Sequence, residues 1–286
     1  MKQTRFYPDV AIIFTRDVLF ICLEREDFEL KVGLIGFGKT GKIVAGEILK
    51  DQTLSLEWVL KKSDEYLGMY ASDLLELDDH RGKIYSIQHT NVEHLLDRHM
   101  VDVIIDFSSK QGVQIYKAVA NRGIKIVSAV SNYDQDQLFE LKMLGNETAI
   151  IHSPNITLGI NFLMSVAKAL KVIMPNADIE IVEEHFRGKK EVSGTAVRIA
   201  QTLGIAANEH ISSIRAGGIV GKHEIIFGLS NQIIRLTHES ISRTAFGEGA
   251  IYAANWLNKR KNGLYSMEDV LGFYDAKYWS NSALAI

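Results

Sequence analysis

His185, Arg187, Lys189 and Lys190 crowd into one short stretch that ends in Ser193, Gly194 and Thr195. Histidine is the side chain that ordinarily titrates nearest neutrality, and a lysine set among other cations is a second candidate for handing on a proton. The elements that must hold these residues follow from pattern. Ile179 and Ile181 alternate with polar positions such as Glu180, which predicts a period-two strand running from 178 toward His185. Arg187 and Gly188 break it. Ala196, Val197, Ile199, Ala200 and Leu203 then recur at helical spacing, so Ser193 should cap a helix whose first backbone N–H groups lack internal partners. Those groups carry partial positive charge and attract anions. A strand, a basic turn and a helix N terminus thus predict a cradle for a small di-acid with a proton source beside it. Each residue alone reads as solvated loop or ordinary cap; the clustering is what points to a site.

A second arrangement suits a dinucleotide. Residues 31–35 alternate as a strand and run into Gly36, Phe37, Gly38, Lys39, Thr40 and Gly41 before a helix over 42–49. This is a GxGxxG turn between strand and helix, where the glycines permit a tight turn and let a pyrophosphate approach the helix N terminus. After the next strand, 56–60, the position where an acid would hold the ribose hydroxyls of NAD is Lys61, followed by Lys62 and Ser63. Two cations there suit a 2′-phosphate, so NADPH is the expected cofactor, with NADH as the other option.

Strands over 101–107, 124–129 and 148–152 alternate with helices over 111–121 and 135–144, which gives a doubly wound pattern. Ligands of such sheets bind beyond the carboxyl ends of strands. Ser108, Ser109, Val130 and Ser131 are therefore expected beside the nicotinamide, and Ala129 and Asn155 complete the cofactor-binding set.

From 153 the character changes, with a turn and then a sparsely charged helix over 158–174. Strands are expected at 212–214, 224–229 and 232–237, the last two joined by Ser230 and Asn231. Apolar residues on both faces of 224–229 suggest a sheet that packs on another subunit, hence a homo-oligomer. Helical periodicity over 243–258 and a docking segment over 263–273 return to the first domain. The predicted fold is α/β: a Rossmann-type doubly wound parallel sheet plus an α+β substrate-binding and oligomerisation domain. Residues 30–155, completed by 243–286, form the dinucleotide-binding domain, and 156–242 form the second domain.

Composition excludes several classes. The 286 residues are 47% hydrophobic and 23% charged with a net charge of −3, so nothing draws the chain as a whole to nucleic acid or an anionic membrane. Cys22 is the only cysteine, which rules out an intrachain disulfide or a cysteine-based zinc site and fits a reducing cytoplasm. No metal site is assigned. Within 1–29 two apolar patches, 10–14 and 18–23, are split by Thr15, Arg16 and Asp17, which argues against a membrane span or a signal peptide. The segment reads as an extension, either a hairpin appended to the body or a loose product of an early start codon.

These segments resemble 4-hydroxy-tetrahydrodipicolinate reductase, also called dihydrodipicolinate reductase, of bacterial lysine and diaminopimelate synthesis. That family's signature runs approximately EaHHxxKxDAPSGTA. Glu183, Glu184, His185, Phe186, Arg187, Gly188, Lys189, Lys190, Glu191, Val192, Ser193, Gly194, Thr195 and Ala196 follow it with one residue fewer just before Ser193. RAGGIVGKH at 215–223 and SRTAFGEGA at 242–250 are similar to its later segments, and the likeness extends from about 31 to 273.

The resemblance implies a cytoplasmic homotetramer in which NAD(P)H reduces the ring formed after the hydroxylated substrate loses water. It places His185 on the family's proton-donating histidine, Lys189 on its lysine, and Ser193, Gly194 and Thr195 on the segment that holds a substrate carboxylate. Phe186 stands where the second histidine would contact substrate, Glu191 replaces an aspartate, a proline is missing before Ser193, and Ala129, Val130, Ser131 and Asn132 replace Gly-Thr-Thr-Gly. Arg187 or Lys190 is expected to supply the polar partner lost at Phe186. The alternatives are an NADP-dependent dehydrogenase of another small acid on the same scaffold, or a catalytically weak nucleotide-binding protein.

Overall fold

The computed structural model describes residues 29–272 except Asp78, together with the backbone of three N-terminal strands, β1 (Phe6–Tyr7), β2 (Val10–Thr15) and β3 (Val18–Cys22), that pair antiparallel. How this extension sits against the body lies outside the described residues. The body begins with β4 (Leu30–Ile35), α1 (Lys39–Lys50), β5 (Leu54–Lys61), α2 (Ala71–Leu74), β6 (Lys83–Ser86) and α3 (Val92–Arg98). It continues through β7 (Val103–Asp106), a 3-10 turn (Lys110–Ile115), α4 (Tyr116–Ala120), β8 (Lys125–Ser128), α5 (Gln135–Leu144) and β9 (Ala149–His152). The second half holds α6 (Leu158–Ile173), β10 (Asp178–His185), α7 (Gly194–Leu203), β11 (Ile211–Arg215), β12 (Gly221–Leu229), β13 (Gln232–Ser240), α8 (Thr244–Asn258), β14 (Gly263–Tyr265) and α9 (Met267–Leu271).

Seven strands form one parallel sheet in the order β14-β9-β8-β7-β4-β5-β6. Leaving aside β14, this is the doubly wound order in which the chain reverses direction across the sheet between β4 and β7, and the crevice at that reversal takes ligands. Each face is buried by its own apolar cluster, so β4 and β7 read as almost continuous hydrophobic runs. The segment at 263–273 does more than dock: its first residues add β14 to the sheet edge beside β9. The third strand of the winding, β6, and the helix after it, α3, are elements that the sequence pattern did not pick out.

The smaller sheet has the order β11-β10-β12-β13. Its inner face presents Ile179, Ile181, Ile225 and Phe227 to Ile160, Leu163 and Met164 of α6 and Ile199, Ala200 and Leu203 of α7. Residues 224–229 alternate, with Ile225 and Phe227 fully buried and Glu224 and Ile226 half-buried on the other face. On that outer face Ile214 and Ile233 are exposed.

Helix α8 joins the halves. Its Ala250, Ala253, Ala254 and Leu257 enter the core of the large sheet, while Gly249 lies against the connection that leads into α6. A Cβ at Gly249 would stand 2.2 Å from the carbonyl oxygen of Ile156. Gly249→Ala should therefore lower stability by about 1–3 kcal/mol, measured by denaturant titration; an unchanged midpoint would show that the helix can shift without loss.

Candidate active site

The turn after β4 is built for close approach. Gly36 has φ +94°, and a Cβ there would meet the backbone of Phe107 and Ser108 at 2.8 Å; one at Gly41 would stand 2.2 Å from the Gly36 carbonyl oxygen. Gly38, the N-cap of α1, faces open space instead. That combination, two glycines packed against backbone and one open at the start of a twelve-residue helix, fits a pyrophosphate resting on the helix N terminus.

Three cavities run along the carboxyl ends of the strands. One of about 250 Å³ is lined by Lys61, Lys62, Ser108 and Ser109. A second, of about 310 Å³, shares Ser108 and Ser109 with it and adds Thr40, Ala129, Val130 and Ser131. The third and largest, about 440 Å³, shares Ser131, Pro154 and Phe246 with the second and reaches His185 and Lys189. A bound dinucleotide could follow this path from the lysines to the histidine. Phe37 departs from expectation: its side chain is buried in the core beneath Lys42, so only its backbone is available to a ligand. Lys39 is exposed on the first turn of α1. Lys61 is buried, with its ammonium donating to the Glu65 carbonyl at 2.8 Å and lying 4.9 Å from the Tyr66 ring, whereas Lys62 is exposed.

A polar chain links the ends of β7 and β8. Asp106 accepts from the Ser108 backbone and from the Tyr116 hydroxyl, both at 2.7 Å; Tyr116 and Tyr133 share a hydrogen bond of 3.1 Å, and Tyr133 reaches Ser128 at 3.0 Å. Burial pushes the Asp106 carboxyl up, against those hydrogen bonds, and pushes the Tyr133 phenol up to about 12.

At the end of β10 the residue in phase with Ile179 and Ile181 is Glu183, which is fully buried. Its carboxylate accepts from both terminal nitrogens of Arg215 at 2.6 and 2.8 Å, from Ser213 Oγ at 2.6 Å, from the Ser193 backbone at 3.2 Å, and from His185 Nδ1 at 2.5 Å. Burial alone would raise this carboxyl, but the hydrogen bonds outweigh it, Arg215 foremost, and hold it down at about 2. With Nδ1 turned to Glu183, His185 presents Nε2, and the absence of a side chain at Gly221 makes room for it: a Cβ there would stand 3.0 Å away. Arg215 also donates to the carbonyls of Lys189 and Glu191, both at 2.9 Å, and so ties the basic loop to the same carboxylate.

Ser193 occupies the N-cap of α7, but its hydroxyl does not cap; it shares a hydrogen bond of 2.8 Å with His223 Nε2. The first turn of α7 therefore has no side-chain acceptor, and Gly194 and Thr195 stand in the cavity wall. Asn155, expected beside the cofactor, is committed to the same helix: it donates to Thr195 Oγ1 at 3.0 Å and accepts from the backbone and hydroxyl of Thr157. Phe186 lines the cavity, 39% exposed. Arg187 and Lys190, the expected substitutes for its lost polarity, are exposed and line none of the three cavities; Arg198 lines the largest. Glu183, Arg198 and His223 were missed in the sequence, although two had a signal: Glu183 lies in the buried phase of its strand, and Arg198 stands one helical turn past Gly194 and Thr195.

A doubly wound nucleotide-binding sheet that opens onto a cationic cavity with a carboxylate-held histidine defines a nicotinamide-dependent oxidoreductase. Family models agree: that of the dihydrodipicolinate reductase N terminus matches residues 30–156 and that of the C terminus residues 159–271. The 4-hydroxy-tetrahydrodipicolinate reductase of Helicobacter hepaticus is 30% identical over 267 residues, 85% of this chain and 99% of that protein. That of Buchnera aphidicola subsp. Cinara cedri is 29% identical over 266 residues, 82% and 93% of the two chains. Among solved structures, dipicolinate-bound dihydrodipicolinate reductase from Paenisporosarcina sp. TG-14 superposes with a TM-score of 0.71 at 21% identity, covering 83% of this chain and 97% of that one. The chain belongs to the dihydrodipicolinate reductase family.

Burial also sets a pH dependence. It lowers His223 from 6.5 to about 4, with the His185 charge acting the same way, so His223 stays neutral in the fold while the unfolded chain takes up a proton below 6.5. Stability from this site is complete above pH 6.5 and is lost as pH falls toward 4. The Glu183 contribution is complete above 4.5 and is lost only on the way down to about 2. Thermal midpoints should fall between pH 6.5 and 4, by an amount equivalent to on the order of 3 kcal/mol at most, and His223→Asn should flatten that limb. A flat wild-type profile would contradict a neutral buried His223.

Proposed function

We propose that the chain reduces 4-hydroxy-tetrahydrodipicolinate to tetrahydrodipicolinate in lysine and diaminopimelate synthesis, with NADPH as cofactor. The observation that carries this reading is the continuity of the two sites: the cleft beyond β4, β7 and β8 and the cavity that holds His185 and Lys189 share Ser131, Pro154 and Phe246. When bound, the nicotinamide supplies hydride at that junction. The remaining work falls to the chain itself. Gly194 and Thr195, at the open first turn of α7, and Lys189 in the adjoining wall hold a substrate carboxylate. Ser193 fixes that turn by its bonds to Glu183 and His223. His185 transfers a proton through Nε2 while Glu183 keeps Nδ1 occupied. Phe246 and Ile160 line the same cavity and limit water beside the reacting ring.

Residues 30–155 with the segment from 243 take the cofactor role in this assignment, and 156–242 the substrate role. Lys62, exposed beside the smallest cavity, is assigned to the 2′-phosphate, and Lys61 supports it from within the loop. Ile214 and Ile233, exposed on the outer face of the smaller sheet, support a homo-oligomer, a tetramer by resemblance, built through that face; a monomer mass in dilute solution would contradict it. A cytoplasmic location accords with a single cysteine, and no helix among the described residues is long and apolar enough to cross a membrane.

The test is NADPH oxidation by purified protein with substrate generated in place from pyruvate and aspartate semialdehyde by the preceding synthase. Oxidation should depend on the synthase, run faster with NADPH than NADH, and fall about 10²- to 10⁴-fold in Lys189→Ala and in His185→Asn. Synthase-independent oxidation, or variants as active as wild type, would contradict the reading.

A further inference from the structure

A substrate with two carboxylates on one ring needs two sets of donors. Lys189 with the first turn of α7 makes one set. The second is not Phe186, which has no donor, nor Arg187 or Lys190, which lie outside the cavity. Arg243 reaches the cavity wall but is exposed, at the start of a different element.

Arg198 differs from all of these. It is half-buried, lines the cavity, and makes no hydrogen bond or ion pair to any described residue. Glu268, the acid whose field it feels, is already bound by Lys168 at 2.9 and 3.0 Å. Burial holds the guanidinium below its ordinary pKa, with Glu268 opposing, so this cation is desolvated without a close counterion. It lies on α7 three residues after Thr195 and four after Gly194, one turn or about 5.4 Å further along the axis. Because side chains on a helix lean toward its N terminus, a long arginine at that position reaches back over the turn that holds the first carboxylate. One rigid helix would then fix the spacing between two anion sites.

We propose that Arg198 grips the second carboxylate of the substrate and makes the site selective for ring dicarboxylates over monocarboxylates. The proposal rests on the reading of the cavity as the reductase substrate site and adds the residue that measures the substrate's second charge. A planar guanidinium can bind a carboxylate through two parallel hydrogen bonds, which a lysine cannot reproduce.

The experiment compares two flat ring acids, pyridine-2,6-dicarboxylate and pyridine-2-carboxylate, by calorimetric titration into NADPH-saturated wild type, Arg198→Gln and Arg198→Lys. Wild type should prefer the dicarboxylate. Arg198→Gln should weaken dicarboxylate binding about 10- to 100-fold while monocarboxylate affinity stays within about twofold, and Arg198→Lys should fall between. Unchanged NADPH affinity and thermal midpoint in the variants would show that the fold is intact. Equal losses for both acids, or no loss for either, would overturn the assignment of Arg198 and leave the reductase reading standing. A wild type that binds neither acid yet turns over the synthase product would also overturn it, whereas one that does neither would contradict both.

Discussion

The site depends on one buried negative charge. Taking a carboxylate out of water costs several kcal/mol unless donors replace the solvent, and Glu183, with no exposed surface, has five of them. They come from β10, β11 and the residue that opens α7, so satisfying the charge brings these elements into register. Arg215 carries the effect outward, since the guanidinium that grips Glu183 also holds two carbonyls of the basic loop. Truncating Arg215 would leave the buried carboxylate without its only cationic pair of donors, a costlier defect than loss of a surface ion pair.

The large sheet solves a separate problem. Its strand order places the glycine turn after β4 and the serines after β7 on the two sides of one crevice, and β8 carries Ala129 to Ser131 to the same end. Helix α8 then closes the geometry: it packs into the large core, crosses the connection into α6, and brings Phe246 to the wall where the cleft meets the substrate cavity. The close approaches at Gly36, Gly41 and Gly249 are all backbone against backbone. Function here relies on main-chain proximity that no side chain could permit.

Much of this was legible in the amino-acid order. The GxGxxG turn, the strand that delivers His185 and the helix opened by Ser193 each carried a local signal, because glycine placement, period-two alternation and helical spacing are properties of neighbouring residues. The roles of side chains that reach across the fold were not. Ser193 reads as a cap, yet its hydroxyl turns to His223, thirty residues away. Lys61 reads as a phosphate ligand, yet its ammonium is drawn into its own loop by Glu65 and Tyr66. Glu183 sat in the buried phase of its strand, but its worth comes from Arg215 and Ser213, which only the pairing of β10 with β11 brings near.

An ionised Glu183 takes the proton-bearing Nδ1 of His185 and leaves Nε2 to the substrate. Nitrogen-15 NMR of the labelled imidazole reads this directly, because the two ring nitrogens shift differently when protonated. In the neutral imidazole of the folded enzyme the proton should be found on Nδ1. A neutral His185 with its proton on Nε2 and a bare Nδ1 would contradict it, since that nitrogen would then face the Glu183 carboxylate with no proton between them.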